Sequence, residues 1–167
     1  MSRTMAPNLI VPPWQLALFA ELRRWAGTRY VPGAQCARRG VDCVGLVAGV
    51  FDRLHGLPPH IPPRAAQDAA WHDWRAAARA TAAIAHRWPH VVIRRPKPTD
   101  IEPGDALLIR TGQGGGHVGI VGRPPEIWHA VRGAGVVMTG IGGFRAEIIR
   151  LYRSTLRESW GTAALNN

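Results

Sequence analysis

Three residues of this 167-residue chain have types and settings that could do chemistry: Cys43 in RRGVDCVGLVAGVFDRLHG, His117 in GQGGGHVGIVG and His129 in EIWHAV. A cysteine wedged between an aspartate and an apolar run can be a packing residue, half of a disulfide, a metal ligand or a nucleophile. The chain has two cysteines, Cys36 and Cys43, which is neither the dense spacing of a secreted disulfide framework nor a paired C-x-x-C for zinc. A chain of this length buries roughly 70% of its unfolded surface and needs no covalent staple. Cys36, in a loop, is read as a small thiol, buried or exposed, without a role.

What sets Cys43 apart is its predicted place. Asp42 is a good N-cap, and Val47, Val50, Phe51 and Leu54 mark one face of a helix that stops at Gly56, so Cys43 is its first residue. The unpaired N–H groups and the dipole at a helix start favour thiolate over thiol. Gly45 and Gly49 each cost that helix about 1 kcal/mol relative to Ala, which calls for a neighbouring backbone in close approach. The thiol also needs a base. If Arg123 to Pro125 form a three-residue hairpin loop, Gly122 pairs with Glu126, and His117 and His129 fall on one sheet face, diagonally offset. That is the geometry of a base and the partner that fixes its ring. A loop one residue longer puts them on opposite faces. Singly, each histidine reads as structural; with a helix-capping cysteine, the combination reads as a nucleophile with its base.

The elements that must position these groups follow from periodicity. Pro13 suits the first position of a helix, and Trp14, Leu18, Leu22 and Trp25 form one apolar stripe ending near Gly27. LPPHIPPR at 57–64 is too rich in proline for regular structure. The Ala-rich 65–88 predicts one long or two short helices ending at Pro89, and with the proline stretch it reads as an insertion at about 57–90. After PKPTDIEPGD, the runs DALLIR, HVGIVG, EIWHAV, GVVMTGI and EIIRLYR predict an antiparallel meander. Helices first and strands afterwards make a single α+β domain over 1–167, with the sheet packed on the early helix.

The remaining histidines are set aside. Pro89 separates His86 from His90, so they do not share a helical face as metal ligands would, and His55, His60 and His72 read as surface or loop residues. Trp71, Trp74 and Trp88 read as packing anchors, although an exposed pair could contact a glycan or a protein. The formal net charge is +10, but the arginines are scattered, which speaks for coding bias over a nucleic-acid patch. No stretch reaches the ~18 apolar residues of a membrane helix, and Pro12-Pro13 breaks the only apolar run near the N-terminus, so no signal peptide is expected.

Taken together, RYVPGAQCARRGVDCVGLVAGVFDRLHG, EPGDALLIRTGQGGGHVGIVG and IWHAVRGAGVV resemble the NlpC/p60 family of papain-like cysteine peptidases over about residues 14–153. The shared features are an upstream Tyr, Asp-Cys-x-Gly, Gly-Asp before a strand, His-Val-Gly-Ile, and a third polar residue about a dozen positions on. The Leu-Val-x-Gly-Val continuation and the Trp-bearing insert look most like tail-associated peptidases of phages and gene transfer agents. The resemblance implies a papain-like fold with Cys43 as nucleophile, His117 as base and then acid, and His129 as its orienting group. It also implies Tyr30, with the Cys43 N–H, at the oxyanion, and Asp42 holding the free amine of a stem peptide. Val44 stands where the family usually has Ser, and Val31-Pro32-Gly33 where it has aromatic-Gly-Gly; both positions bear on substrate capture.

The implied activity is hydrolysis of an amide bond in peptidoglycan stem peptides, with no metal or organic cofactor. The expected partners are the stem peptide and other tail or baseplate proteins, with no specific nucleic acid and no membrane insertion. The protein is expected to be made in the cytoplasm and to act in the periplasm or cell wall from a virion or particle tail. Competing readings are an acyltransferase or amidase on the same Cys-His pair, a structural tail-assembly protein with vestigial catalysis, and a nucleic-acid binder.

Overall fold

Helix α1 spans Pro13–Trp25 in the computed structural model, which describes residues 11–60, 73–143 and 146–160. Pro13 takes the first position, where no N–H is needed, and Trp14, Leu18, Leu22 and Trp25 all turn to the core. A short hairpin of β1 (Gln35–Cys36) and β2 (Gly40–Val41) carries the chain into α2, Cys43–Leu54. This helix is buried on almost every side. Its glycines allow that: a Cβ at Gly45 would overlap the Ala34 carbonyl oxygen, and one at Gly49 would sit 2.5 Å from the Trp25 indole. The expected backbone approach occurs at Gly45, whereas at Gly49 the neighbour is an aromatic ring.

Helix α3 is Trp74–Ala85. The earlier part of the Ala-rich segment, with Trp71 and His72, lies outside the described residues. Ala76, Ala77, Ala80 and Ile84 turn inward, and these small side chains let α3 lie close on α2 and on two strands of the sheet, β4 (Ala106–Thr111) and β5 (Gly116–Val121).

Around those two strands are β3 (His90–Arg94), β6 (Glu126–Val131), β7 (Gly135–Gly140) and β8 (Ala146–Ser154), in the order β3-β8-β4-β5-β6-β7 with every pair antiparallel. The predicted α+β architecture is present, and β4 to β7 form the expected meander. Two features differ from the sequence reading. β8 does not continue the meander past β7 but returns to pair with β4. The reason is burial: Leu151 joins Leu107 and Ile109 on one face and Tyr152 enters the main core on the other, whereas at the outer edge Met138 is half exposed. The second difference is β3, a β-branched run between Pro89 and Pro96 that the sequence reading leaves unassigned; it pairs along β8 as an edge strand.

The helices pack with Leu108, Val118, Ile120, Ala130 and Val136 in the main core. A smaller cluster of Ile101, Leu107, Ile109, Val121, Ile127 and Leu151 covers the other face. Where β4 begins, the buried Asp105 accepts from Arg153 Nε and Nη2, both at 2.8 Å, and from the Glu102 N–H at 2.8 Å. Arg153 Nη1 also donates to Glu102 at 2.9 Å. The bidentate pair ties β4 to β8.

Candidate active site

Cys43 is the first residue of α2, as its sequence setting predicts. The Asp42 side chain caps the helix through the Gly45 N–H at 2.6 Å and clamps the preceding loop through the Gly33 N–H at 2.8 Å. With both oxygens on backbone amides and the residue 1% exposed, Asp42 acts first as a fold-forming group. Tyr30 is brought alongside by a parallel bridge to Val41, two residues before the cysteine, with its hydroxyl oxygen out of solvent. The Val44 side chain lies in the core, while its backbone N–H is directed at the Cys43 sulfur.

The sulfur also takes the Val118 N–H, next to His117 in β5. That donor is spare because the β5–β6 ladder is confined to Ile120↔Trp128 and Val121↔Ile127. Since the N–H groups of a strand lie in the plane of its sheet, Cys43 meets β5 edge-on, where its pairing with β6 has ended.

The hairpin register is the one predicted. Gly122 N–H donates to the Glu126 carbonyl at 3.1 Å, and the ladder, extended, sets Gly119 opposite His129 and His117 two residues further on the same face. The side chains meet: His117 Nε2 and His129 Nδ1 are 2.8 Å apart, in an edge-on arrangement. Beyond them, His129 Nε2 lies 2.9 Å from Thr139 Oγ1 on β7, a contact absent from the sequence reading.

Solved structures share this architecture, although no protein-family model and no curated protein matches the chain. The NlpC/p60 domain of the peptidoglycan hydrolase SagA is 21% identical, with a TM-score of 0.52 over 84% of this chain and 98% of that one. The fold is that of NlpC/p60 domains. NlpC2 from Trichomonas vaginalis gives a TM-score of 0.58 at 17% identity over 89% of this chain, and NlpC1 from the same organism 0.57 at 17% over 92%. This chain spans 49% and 48% of those two proteins, respectively.

Within this NlpC/p60 fold the electrostatics of the site depart from the helix-start expectation. Burial pushes the Cys43 thiol well above its ordinary range and the Asp42 charge adds to this, while the N–H groups of Val118, Val44 and Cys43 pull the other way. Desolvation outweighs them because the residue is 2% exposed. Burial, and then the charge of His129, drives His117 down to about 3, and burial also lowers His129. At rest the Cys43 thiol and the His117 imidazole are therefore both neutral.

Other sequence-level candidates lie elsewhere. Cys36 is exposed in β1. His55, read from sequence as a surface or loop residue, lies in the turn after α2 but faces inward: it stacks with Phe51 and Trp88 and stands 3.3 Å from the Trp160 indole nitrogen, with burial lowering it to about 4. The reason is its position directly after α2, which carries it into the aromatic core. Trp88 is buried on Phe51, and Trp74 carries the Arg75 and Arg110 guanidinium groups over its ring. Rings of His86 and His90 are 6.2 Å apart, and among the described residues no group of three or more His, Cys, Asp or Glu could hold a metal ion. No described helix is long and apolar enough to cross a membrane.

Proposed function

We propose that the chain is a cysteine peptidase that hydrolyses amide bonds in peptidoglycan stem peptides, by sequence resemblance the D-γ-glutamyl to diamino-acid bond. The observation that carries this reading is the 2.8 Å contact between His117 and His129 on a strand whose Val118 N–H is directed at Cys43. The peptidoglycan substrate is supported by the fold shared with the SagA domain.

His129 engages Nε2 of His117, which leaves Nδ1 as the nitrogen to serve the thiol. In this mechanism the Cys43 proton passes to His117 as the sulfur attacks the amide carbon, because neither group is charged beforehand. The developing oxyanion is held by the Cys43 N–H, with the Tyr30 hydroxyl as second donor. The His117 imidazolium then protonates the leaving amine, and a water deprotonated by the same ring resolves the thioester. Asp42 positions the helix start, and Val44 contributes its N–H rather than its side chain.

The deciding experiment incubates purified peptidoglycan with the wild-type protein and with Cys43→Ala, and identifies released fragments by mass spectrometry. Fragments from wild type alone are expected, with a new free amine and carboxyl at one stem-peptide bond; cleavage that survives in Cys43→Ala overturns the mechanism. The tail-borne setting is proposed on sequence resemblance alone, and particle purification that leaves the protein behind would overturn it.

A further inference from the structure

The hydrogen-bonded chain does not end at His129. His117, His129 and Thr139 occupy three adjacent strands, β5, β6 and β7, and each step is the same diagonal. Extending the Ile120↔Trp128 register sets Gly119 opposite His129 with His117 two residues away, and Val137 faces His129 with Thr139 two residues away. The steps close at 2.8 Å and 2.9 Å. Three ring nitrogens, His117 Nε2 and both of His129, are thus joined in one hydrogen-bonded chain, and the polarity of that chain decides whether the first ring is a base.

We infer that Thr139 is a positioning residue that selects the reactive tautomer of His117 through His129. A base at Nδ1 must leave that nitrogen unprotonated, so His117 carries its proton on Nε2 and donates to His129 Nδ1. His129 then carries its own proton on Nε2 and needs an acceptor there. The Thr139 hydroxyl oxygen is that acceptor. In the reverse polarity His129 donates from Nδ1, His117 accepts at Nε2 and holds its proton on Nδ1, and it is no longer able to take one from the thiol. A hydroxyl is suited to the place because Thr139 is exposed on β7 and can give its own hydrogen to water while a lone pair stays with the ring; donation to Nε2 instead would run the chain in the reverse polarity. No proton leaves the pair through Thr139; it biases the ring and stays neutral.

Because the role rests on the proposed peptidase reaction, the test has one readout that needs no substrate. Nitrogen NMR of the imidazoles in the wild-type protein should show both His117 and His129 in the Nε2-protonated form. Thr139→Val, which keeps the shape and removes the acceptor, should populate the Nδ1-protonated forms, and Thr139→Ser should restore the wild-type pattern. On peptidoglycan fragments, Thr139→Val should lower kcat about tenfold with KM unchanged, equivalent to ~1.4 kcal/mol of barrier, with rescue by Ser. A folded Thr139→Val protein with unshifted tautomers and kcat within about twofold of wild type overturns the inference. If the wild type cleaves no peptidoglycan but the tautomers shift as stated, the substrate reading fails and the Thr139 role stands.

Discussion

At the foot of β4, Asp105 is fully buried and both its oxygens are bound by one guanidinium; at the head of α2 and on β5 and β6, Cys43, His117 and His129 are nearly as buried, the sulfur held by backbone N–H groups and the two rings by each other. In the first cluster, burial raises the Asp105 carboxyl, the Arg153 bonds draw it back, and Arg153 is itself held above its ordinary range. Charge is kept there by compensation. In the second cluster burial outweighs the N–H groups on the sulfur and meets no opposing charge at the rings, so every titratable member is driven to its neutral form. A pinned ion pair contributes to stability and has nothing left to give to a substrate. A neutral, desolvated pair has a proton to move, which in the proposed reaction passes from the sulfur to His117 as the oxyanion forms against its hydrogen-bond donors.

The largest effects should separate these roles. His117→Gln should lower kcat/KM by about 10²–10⁴-fold, the usual range for loss of a general base, with little change in the urea midpoint. Arg153→Met should do the reverse: activity per folded molecule is retained, while unfolding free energy drops by about 3 kcal/mol because a buried carboxylate loses its partner. The double variant Asp105→Asn, Arg153→Met should recover part of that loss. Urea unfolding followed by tryptophan fluorescence, with stem-peptide hydrolysis measured in parallel, reads both. Equal losses of stability in the two single variants would erase the distinction.

The unequal legibility of the two clusters in the sequence has the same origin. Cys43 was readable as a helix start because capping and periodicity are local, and the histidine pair was readable because a three-residue hairpin fixes register across one turn. The three-residue turn at 132–134 fixes register in the same way and sets Thr139 on the same face as His129. Arg153 and Asp105 are 48 positions apart, and their pairing depends on β8 returning to β4, which no local pattern encodes. The return is decided by where Leu151 and Tyr152 can be covered on both faces. Burial itself was the other invisible quantity: the helix start favours a thiolate only where water remains, and here the packing around Cys43 reverses the sign.

Acid should sharpen the comparison on a smaller scale. His117 and His55 are held at about 3 and about 4 against an ordinary 6.5, so between those values the unfolded chain binds protons that the folded one does not. Stability from these groups is fully present above pH 6.5 and is lost as pH falls toward 4 and then 3. The thermal midpoint should therefore decline from pH 7 to pH 4.5, and His55→Phe, which keeps the stack on Phe51 and Trp88, should flatten that decline. The neutral thiol gives a companion signal: iodoacetamide at pH 7 should label the exposed Cys36 well before Cys43, read by peptide mass spectrometry. Prompt labelling of Cys43 would mean that its thiolate is already formed.

The smallest effect concerns Val44, the position where the NlpC/p60 resemblance shows a usual Ser. Its side chain sits in the main core at 2% exposure, and its contribution to the sulfur is a backbone N–H that any residue except proline would supply. Val44→Ser should change kcat/KM by less than about threefold, under 1 kcal/mol of barrier. Stability should fall by about 1–3 kcal/mol, because a hydroxyl replaces methyl groups among apolar neighbours. Hydrolysis rates and urea midpoints measured on the same preparation test this directly. A tenfold gain in rate without loss of stability would place the side chain against the substrate, and the head of α2 would then be an open recognition surface rather than a sealed proton-transfer pair.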